Sequence, residues 1–531
     1  MKKIVIFGAG VGGLSVAHQL SKFPQYKIDI YEKKNVIGGL ARSRRDMDGC
    51  ATEYCWRVYF DFYHNIFDIM KDIPLKDDKE KNVLENLTVY QHINILDSKF
   101  SNQDKFTGLF KIFLGLTSCD KRLNDFDNLS WWQAMNTTSS SNIYREIGQW
   151  LGMDRYKGSF KSVIRVGFEM NLLPAFFSKI FGSYYNDWVT TKPTSEAWFD
   201  HWKVYLQNKG VNFHMNSELE SIIVKNKKIM SSKIKGKNEN IIADYYILSL
   251  PVEAVSKIID KTPKLNNQQF KNIKKMAEYC LHTQLSFQVF FNKSISFGSN
   301  KNAFMLVDSP WDIIVLSYDK IYTTKLSKNN PKIQGGWSVA ACTAYIPGIL
   351  YKKPMNQCDY NEIISELWAQ LTNSQGLKKM IQENNNFDFD ENLIVKWSPI
   401  WPTFKNKSGR LVTSEPKFTN NIGSYNLRPS YKTDIDNLFI STAYVKEAID
   451  IFSMEAAAIA GKLTANAISG ENNIPYIRER PQIFFNMRFI DSILYQIGLP
   501  NIVPQLVIII LIIFFILIIL TFVRFFKPNK N

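Results

Sequence analysis

Three glycines, Gly8, Gly10 and Gly13, follow the apolar run Ile4–Phe7 at G-x-G-x-x-G spacing, with Gly12 inside the same turn. Residues of this kind at this spacing cradle a pyrophosphate. One makes a tight strand-to-helix turn, one lets backbone approach the phosphates, and one lets the next helix pack closely on the sheet. The free amides at that helix's N-terminus form the positive end of the site. Roughly twenty residues further on, where a ribose-binding carboxylate is expected, Glu32 ends a second apolar stretch, Lys27–Tyr31. A carboxylate there accepts both ribose hydroxyls of an adenosine and repels a 2′-phosphate. Three elements must position these groups: a strand at Ile4–Phe7, a helix with Leu14, Ala17 and Leu20 on one stripe, and a strand at Lys27–Tyr31. Together they read as the opening of a Rossmann-like dinucleotide site.

A short loop after Glu32 leads to Gly38, Gly39, Leu40, Ala41 and Arg42. In this combination the sequence resembles the flavin-containing amine oxidase and phytoene desaturase superfamily, of the glycine-doublet type. It is most similar to the carotenoid-desaturase-like and hydroxysqualene-oxidoreductase-like branch. The resemblance implies FAD as cofactor and an α/β fold, in which a Rossmann-like FAD-binding domain is interleaved with an α+β substrate domain. The doublet would bring backbone to the pyrophosphate, and Arg42 would offer fixed guanidinium donors to its oxygens. Glu53–Phe60 resembles the E-x-x-W-R segment of that branch, which makes Trp56 and Arg57 the candidates for side chains near the flavin. No catalytic acid or base stands out by spacing.

Later segments extend the resemblance. Thr194–Gly210 carries Trp198, Trp202 and Leu206 at helical intervals and ends at a glycine, which predicts a helix. Val211–His214 and Leu219–Val224 alternate as strands do. In the superfamily the equivalent of the second delivers a backbone contact to adenine, which implies that role for Val224. Ala243–Pro251 matches the strand that closes the adenine-binding domain. Ser453-Met454-Glu455 opens an alanine-rich helix, and small residues on every side of a helix mean close backbone packing. The resemblance makes this the last FAD motif, with Met454 at the amides that approach the flavin. The match there is partial. The family's Ala-Gly-Asp stands as Ser441-Thr442-Ala443, and Phe452 and Ala456 replace glycines. Losing the aspartate removes a cofactor hydrogen bond, and Thr442 crowds the ribityl position.

A chain of 531 residues exceeds what one hydrophobic core serves. The expected organisation is an FAD-binding domain in three pieces (1–71, 191–259 and 416–475) and a substrate domain in two (72–190 and 260–415). An amphipathic linker (476–502), a transmembrane helix (503–523) and a short tail (524–531) follow. Tyr59, Phe62, Tyr63 and Phe67 have helical spacing, and Leu172–Phe181 is apolar enough to line a lipophilic tunnel, touch a membrane surface or fill a core. Hydrophobic content of 45% with 14% aromatics argues for a folded body. The net charge of +16 is spread over short lysine clusters such as Lys33–Lys34 and Lys274–Lys275. That pattern suits a solubilising lysine-rich surface or, alternatively, attraction to anionic membranes, and argues against a nucleic-acid groove. Six cysteines without a C-x-x-C pattern fit free thiols in a reducing compartment, and no spacing of ligands predicts a metal. The N-terminus is taken up by the first strand, with no cleavable leader expected.

From Leu506 the sequence runs LVIIILIIFFILIILTFV. Counted from Val503, about twenty such residues cross roughly 30 Å of hydrocarbon. The expectation is a tail-anchored protein, its body facing the cytosol, in an organellar or viral membrane. Arginines and lysines on both flanks leave the positive-inside comparison undecided. Taken with the resemblance, this implies an FAD-dependent oxidoreductase. It would remove a hydride from a hydrophobic isoprenoid or polyene-like substrate drawn from the lipid bilayer, and oxygen or a quinone would accept the electrons. Two alternatives stay open. One is a flavin amine oxidase without a covalent flavin, because no cysteine follows Cys358. The other is a catalytically degenerate flavin-fold protein serving a structural or binding role in a membrane or virion.

Overall fold

The apolar run at the N-terminus forms the strand Lys2–Phe7, the middle of a five-stranded parallel sheet. Its neighbours are Tyr26–Tyr31 and then Asn212–His214 on one side, and Tyr245–Leu248 and then Leu438–Ile440 on the other. Parallel neighbours need long crossovers, and here the chain leaves this sheet and returns to it from distant parts of the sequence. Side chains alternate across a strand, so the first strand serves two cores. Ile4 and Ile6 pack with Leu14 and Ala17 of the helix Val11–Leu20 and with Ala458 of the helix Met454–Ser469. Val5 and Phe7 pack with Ile222 and Val224 of an antiparallel meander and with Val255 and Ile258 of the helix Val252–Asp260. The computed structural model describes the whole chain except residues 55–56, 96–101, 136–150, 152, 155, 283–284, 308, 344, 399–403, 408–409, 506–515 and 517–531.

The second lobe is built on a six-stranded sheet. Its order is Ile394–Ser398, Leu285–Phe291, Gly335–Ala341, Ile313–Ser317, Ala303–Leu306 and His92–Ile95. All neighbours are antiparallel except the last pair. The helices Tyr360–Asn373 and Gln375–Asn384 cover one face through Ile363, Leu367, Leu377 and Ile381, which pack with Phe287, Phe291 and Trp337. A third region, which includes the helices Asn102–Thr117, Asp120–Asp125 and Leu173–Phe181, is mostly helical.

Several local expectations change. The aromatic stretch before His64 is not a helix. The helix runs only from His64 to Lys71, while Tyr59 is held by paired backbone hydrogen bonds to Trp188 of 2.8 and 2.9 Å. Tyr59, Phe62 and Tyr63 are nonetheless buried, so their spacing reflects packing and not a helical period. The helix expected from Thr194 begins with a π-helical turn, Ser195–Phe199, before settling into Asp200–Asn208. The two alternating segments that follow go to separate sheets. Asn212–His214 extends the parallel sheet, and Leu219–Lys225 opens the meander. Among the described residues no helix is long and apolar enough to cross a membrane. Most of 503–523, the segment expected to do so, lies outside the described residues.

The helix Met454–Ser469 lies so close to Val11–Leu20 that a Cβ on Gly461 would stand 2.4 Å from the Ser15 Cβ and 3.0 Å from the Gly12 carbonyl oxygen. Overpacking of this sort costs about 1–3 kcal/mol. Gly461→Val is therefore expected to lower the urea midpoint of the full chain with an unchanged m-value, as equilibrium unfolding would measure.

Candidate cofactor site

The N-terminal glycines sit where strand gives way to helix, and space makes Gly8, Gly12 and Gly13 obligatory. A Cβ on Gly12 would lie 2.2 Å from the carbonyl oxygen of Ser441, just past the end of the strand Leu438–Ile440. Gly10 faces the second glycine segment. A Cβ on Gly39, whose φ is +57°, would sit 3.2 Å from the Gly10 Cα. The Gly38 amide donates to the Ala9 carbonyl at 2.8 Å, so the two segments are joined directly. Gly39, Leu40 and Ala41 form a single tight turn whose Ala41 amide returns to the Gly38 carbonyl at 3.0 Å. Gly8, Gly10, Gly12, Gly13, Gly38 and Gly39 thus line one narrow backbone cradle, with no side chain larger than hydrogen at the closest approaches.

Glu32 lies at the rim of the cradle, buried. Its Oε2 accepts the Ala9 amide at 2.8 Å and its Oε1 accepts the Lys34 amide at 2.9 Å. Burial raises its pKa above the ordinary glutamate value, and those amides, with the Arg42 charge, offset this only in part. Each carboxylate oxygen keeps a further lone pair for a hydroxyl group. Arg42 is buried beside it. Its Nη1 donates to the Gly39 carbonyl at 2.5 Å, and its Nη2 meets both oxygens of Glu415 at 3.0 and 2.8 Å. Lys34 Nζ reaches the same Glu415 at 2.5 Å. Burial opposes ionisation of Glu415, but Arg42 and Lys34 outweigh it and hold the carboxyl below the usual range. The cradle therefore contains two fixed cations whose present partner is a carboxylate of the chain itself.

Arg57 serves the cradle from behind. It pairs with the buried Glu53 at 2.6 Å and donates to the Leu40 carbonyl. Glu53 in turn accepts the Thr194 amide at 2.8 Å and hydroxyl at 2.9 Å, while its own carbonyl receives Gln288 of the six-stranded sheet at 2.9 Å. Arg57 thus positions the glycine doublet and links it to the second lobe. Trp56, the other candidate near the flavin, lies outside the described residues. Val224 is in the meander, opposite Ile229. Met454 begins its helix, where the Ser453 hydroxyl caps the Ala456 amide at 3.1 Å. The direction of that helix is set by Glu455, which accepts the Asn65 amide, the Asn65 side chain and the Ile66 amide at 3.0, 2.7 and 2.9 Å.

The altered triplet is accommodated. The Ser441 amide continues the sheet to Leu248 at 3.0 Å, and its hydroxyl donates to the Gly12 carbonyl at 3.1 Å. Thr442 is buried with its hydroxyl lacking a hydrogen-bond partner. Among the described residues no group of His, Cys, Asp and Glu is placed to hold a metal ion. Glu415 and Lys34 carry no motif in the sequence that points to this role. Glu415 is 373 positions from its partner Arg42, beyond the reach of any local signal.

Residues 6–73 match the family model of the NAD(P)-binding Rossmann-like domain. The chloroplast and chromoplast zeta-carotene desaturase of Solanum lycopersicum is 22% identical over 521 residues, covering 87% of this chain and 79% of that protein. Among solved structures, putrescine oxidase bound to putrescine matches with a TM-score of 0.58 at 12% identity, covering 88% of this chain and 99% of that one. Cyclohexylamine oxidase from Brevibacterium oxydans matches with a TM-score of 0.55 at 12% identity over the same shares, 88% and 99%. The chain is similar to the flavin amine oxidase and carotenoid desaturase superfamily, in sequence along most of its length and in fold. Its cradle fits the FAD of that superfamily. The glycine segments and Arg42 would hold the pyrophosphate, Glu32 the adenosine ribose, and the start of the helix Met454–Ser469 the flavin end.

Two substitutions test these roles. Hydrogen bonds to charged groups contribute about 1.5–3 kcal/mol each, so Glu32→Ala should weaken FAD retention by roughly 10- to 100-fold, measured by flavin fluorescence on dilution. A bound pyrophosphate would compete with Glu415 for Arg42. Glu415→Gln should therefore tighten FAD by several-fold in the same titration, and weaker binding would show that Glu415 instead holds Arg42 in place for the cofactor.

Proposed function

We propose that this chain is an FAD-dependent oxidoreductase that dehydrogenates a hydrophobic, isoprenoid- or polyene-like substrate at a membrane. The observation that carries the reading is the joint presence of the two-segment cradle and a likeness to a zeta-carotene desaturase running along 87% of the chain. FAD, when bound, supplies the two-electron acceptor for hydride removal. The chain's own residues bind and orient. Glu32 would fix the adenosine end, Arg42 would offset the pyrophosphate charge with the glycine amides donating to it, and Arg57 keeps the doublet in register through Leu40. Val224 offers a backbone contact to adenine. The cofactor domain comprises 1–71, 191–259 and 416–475, and substrate enters between it and the pieces 72–190 and 260–415. Oxygen or a quinone would accept the electrons.

The segment 503–523 supports an anchor by its length and by the apolar run from Leu506 that only Thr521 interrupts, with the body on the cytosolic side of an organellar or viral membrane. Such placement lets a lipid-soluble substrate pass to the site without crossing water. The amine oxidases among the similar folds support a second reading, oxidation of an amine.

Full-length protein purified in detergent should be yellow and, without oxygen, should bleach on addition of linear polyene isoprenoids but not of primary or polyamines. Bleaching by amines alone would replace the first reading with the second. A protein that stays colourless after incubation with FAD would refute both.

A further inference from the structure

The helix Phe485–Gln496 is mounted the wrong way round for a water-soluble surface. Phe485, Phe489, Ile493 and Ile497 follow one another at four-residue intervals, one above the other on a helix. They are 57%, 60%, 46% and 64% exposed. On the opposite side Asp491 is fully buried. It accepts the Cys119 amide at 2.7 Å and pairs with Arg122 at 3.1 Å. The Tyr495 hydroxyl donates to Asp125 at 2.7 Å, and Arg122 also holds the Leu499 carbonyl at 2.8 Å. Rotation that would hide the aromatic stripe would break this set and strand a buried carboxylate. The charged side chain is thus the fastening, and the apolar stripe is what the fastening presents.

Two further observations say what covers the stripe. Phe484, just before the helix, packs edge-on against Phe113 of the helix Asn102–Thr117, which itself exposes Leu109, so the apolar surface continues beyond one helix. After Gln496 the chain is pinned again at the same edge. Asn501 donates to the Ser118 hydroxyl at 3.1 Å and accepts the Val503 amide at 2.8 Å. The continuous apolar run of about bilayer length starts there. Stripe and entry point are fastened to one short stretch, Ser118–Asp125.

We infer that the helix Phe485–Gln496 is an interfacial docking helix, its Phe485–Phe489–Ile493–Ile497 stripe inserted into the headgroup region of a lipid bilayer while Asp491 locks the enzyme body at one fixed tilt above it. The inference rests on the anchor reading of 503–523, goes beyond it by setting the orientation of the body, and is independent of the substrate.

The test uses the full chain in phosphatidylcholine and phosphatidylglycerol vesicles. Nitroxides are placed singly at Phe489→Cys, Ile493→Cys, Ile516→Cys and Lys233→Cys, and depth is read from the ratio of oxygen to nickel accessibility against label taken up by the unmodified chain. Labels at 489 and 493 should lie about 5–10 Å below the phosphates, the label at 516 deeper, and the label at 233 in water. Ile516 in the bilayer with 489 and 493 in water overturns the docking helix and leaves the anchor. Ile516 in water overturns the anchor. Labels at 489 and 493 shielded from both reagents mean that protein covers the stripe, either a second copy or the apolar run folded back, and also overturn the proposal. Asp491→Asn, which keeps the shape but removes the charge, should spread the depths at 489 and 493. An unchanged depth would remove Asp491 from its locking role.

Discussion

The architecture depends on a backbone-to-backbone approach at the N-terminal glycines. The Ser441 carbonyl occupies the space that a Gly12 side chain would need, and Gly461 is pressed against Ser15 and the Gly12 carbonyl. Segments separated by more than four hundred residues therefore meet at van der Waals distance with nothing but hydrogen between them. Interiors are packed too densely to absorb an added methyl group at such points. The strand Leu438–Ile440, the alanine-rich helix and the first glycine turn consequently form one unit. That unit would set the position of the flavin end relative to the pyrophosphate end.

Electrostatics within that unit are balanced by the chain itself. A buried guanidinium without a counter-charge would be strongly destabilising, and Arg42 is given Glu415, which Lys34 also holds. A diphosphate likewise offers anionic oxygens that a guanidinium can meet, so the cation that would serve the cofactor is already compensated by the chain. A like arrangement supports the doublet from the other side, where Glu53 keeps Arg57 aimed at the Leu40 carbonyl and gathers contacts from Thr194 and Gln288. Through these two ion pairs the lobes share responsibility for the shape of one turn.

At the far end of the chain the usual sorting of residues is reversed. A charged Asp491 is enclosed and large apolar side chains face outward. Exposed apolar stripes on soluble proteins mark surfaces that are covered in use, and the hydrogen bonds from Cys119, Arg122 and Tyr495 show that the reversal is built in rather than a loose end.

The sequence by itself determined the parts whose chemistry is local. The glycine spacing, Glu32 at a strand end and the Gly38–Arg42 doublet were legible because strand, turn and helix signals lie within a few residues of one another, and each sits in the cradle. The capped alanine-rich helix at Met454 was legible for the same reason. Only the tertiary structure decided which sheet each later strand joins, that Tyr59, Phe62 and Tyr63 pack from irregular backbone, and that Arg57 supports the doublet from behind. It also decided that Glu415 closes on Arg42 and that Asp491 turns the amphipathic helix inside out. Each of these depends on partners brought together by chain crossings across hundreds of residues. Periodicity reports which side of an element is apolar, but not what that side will face.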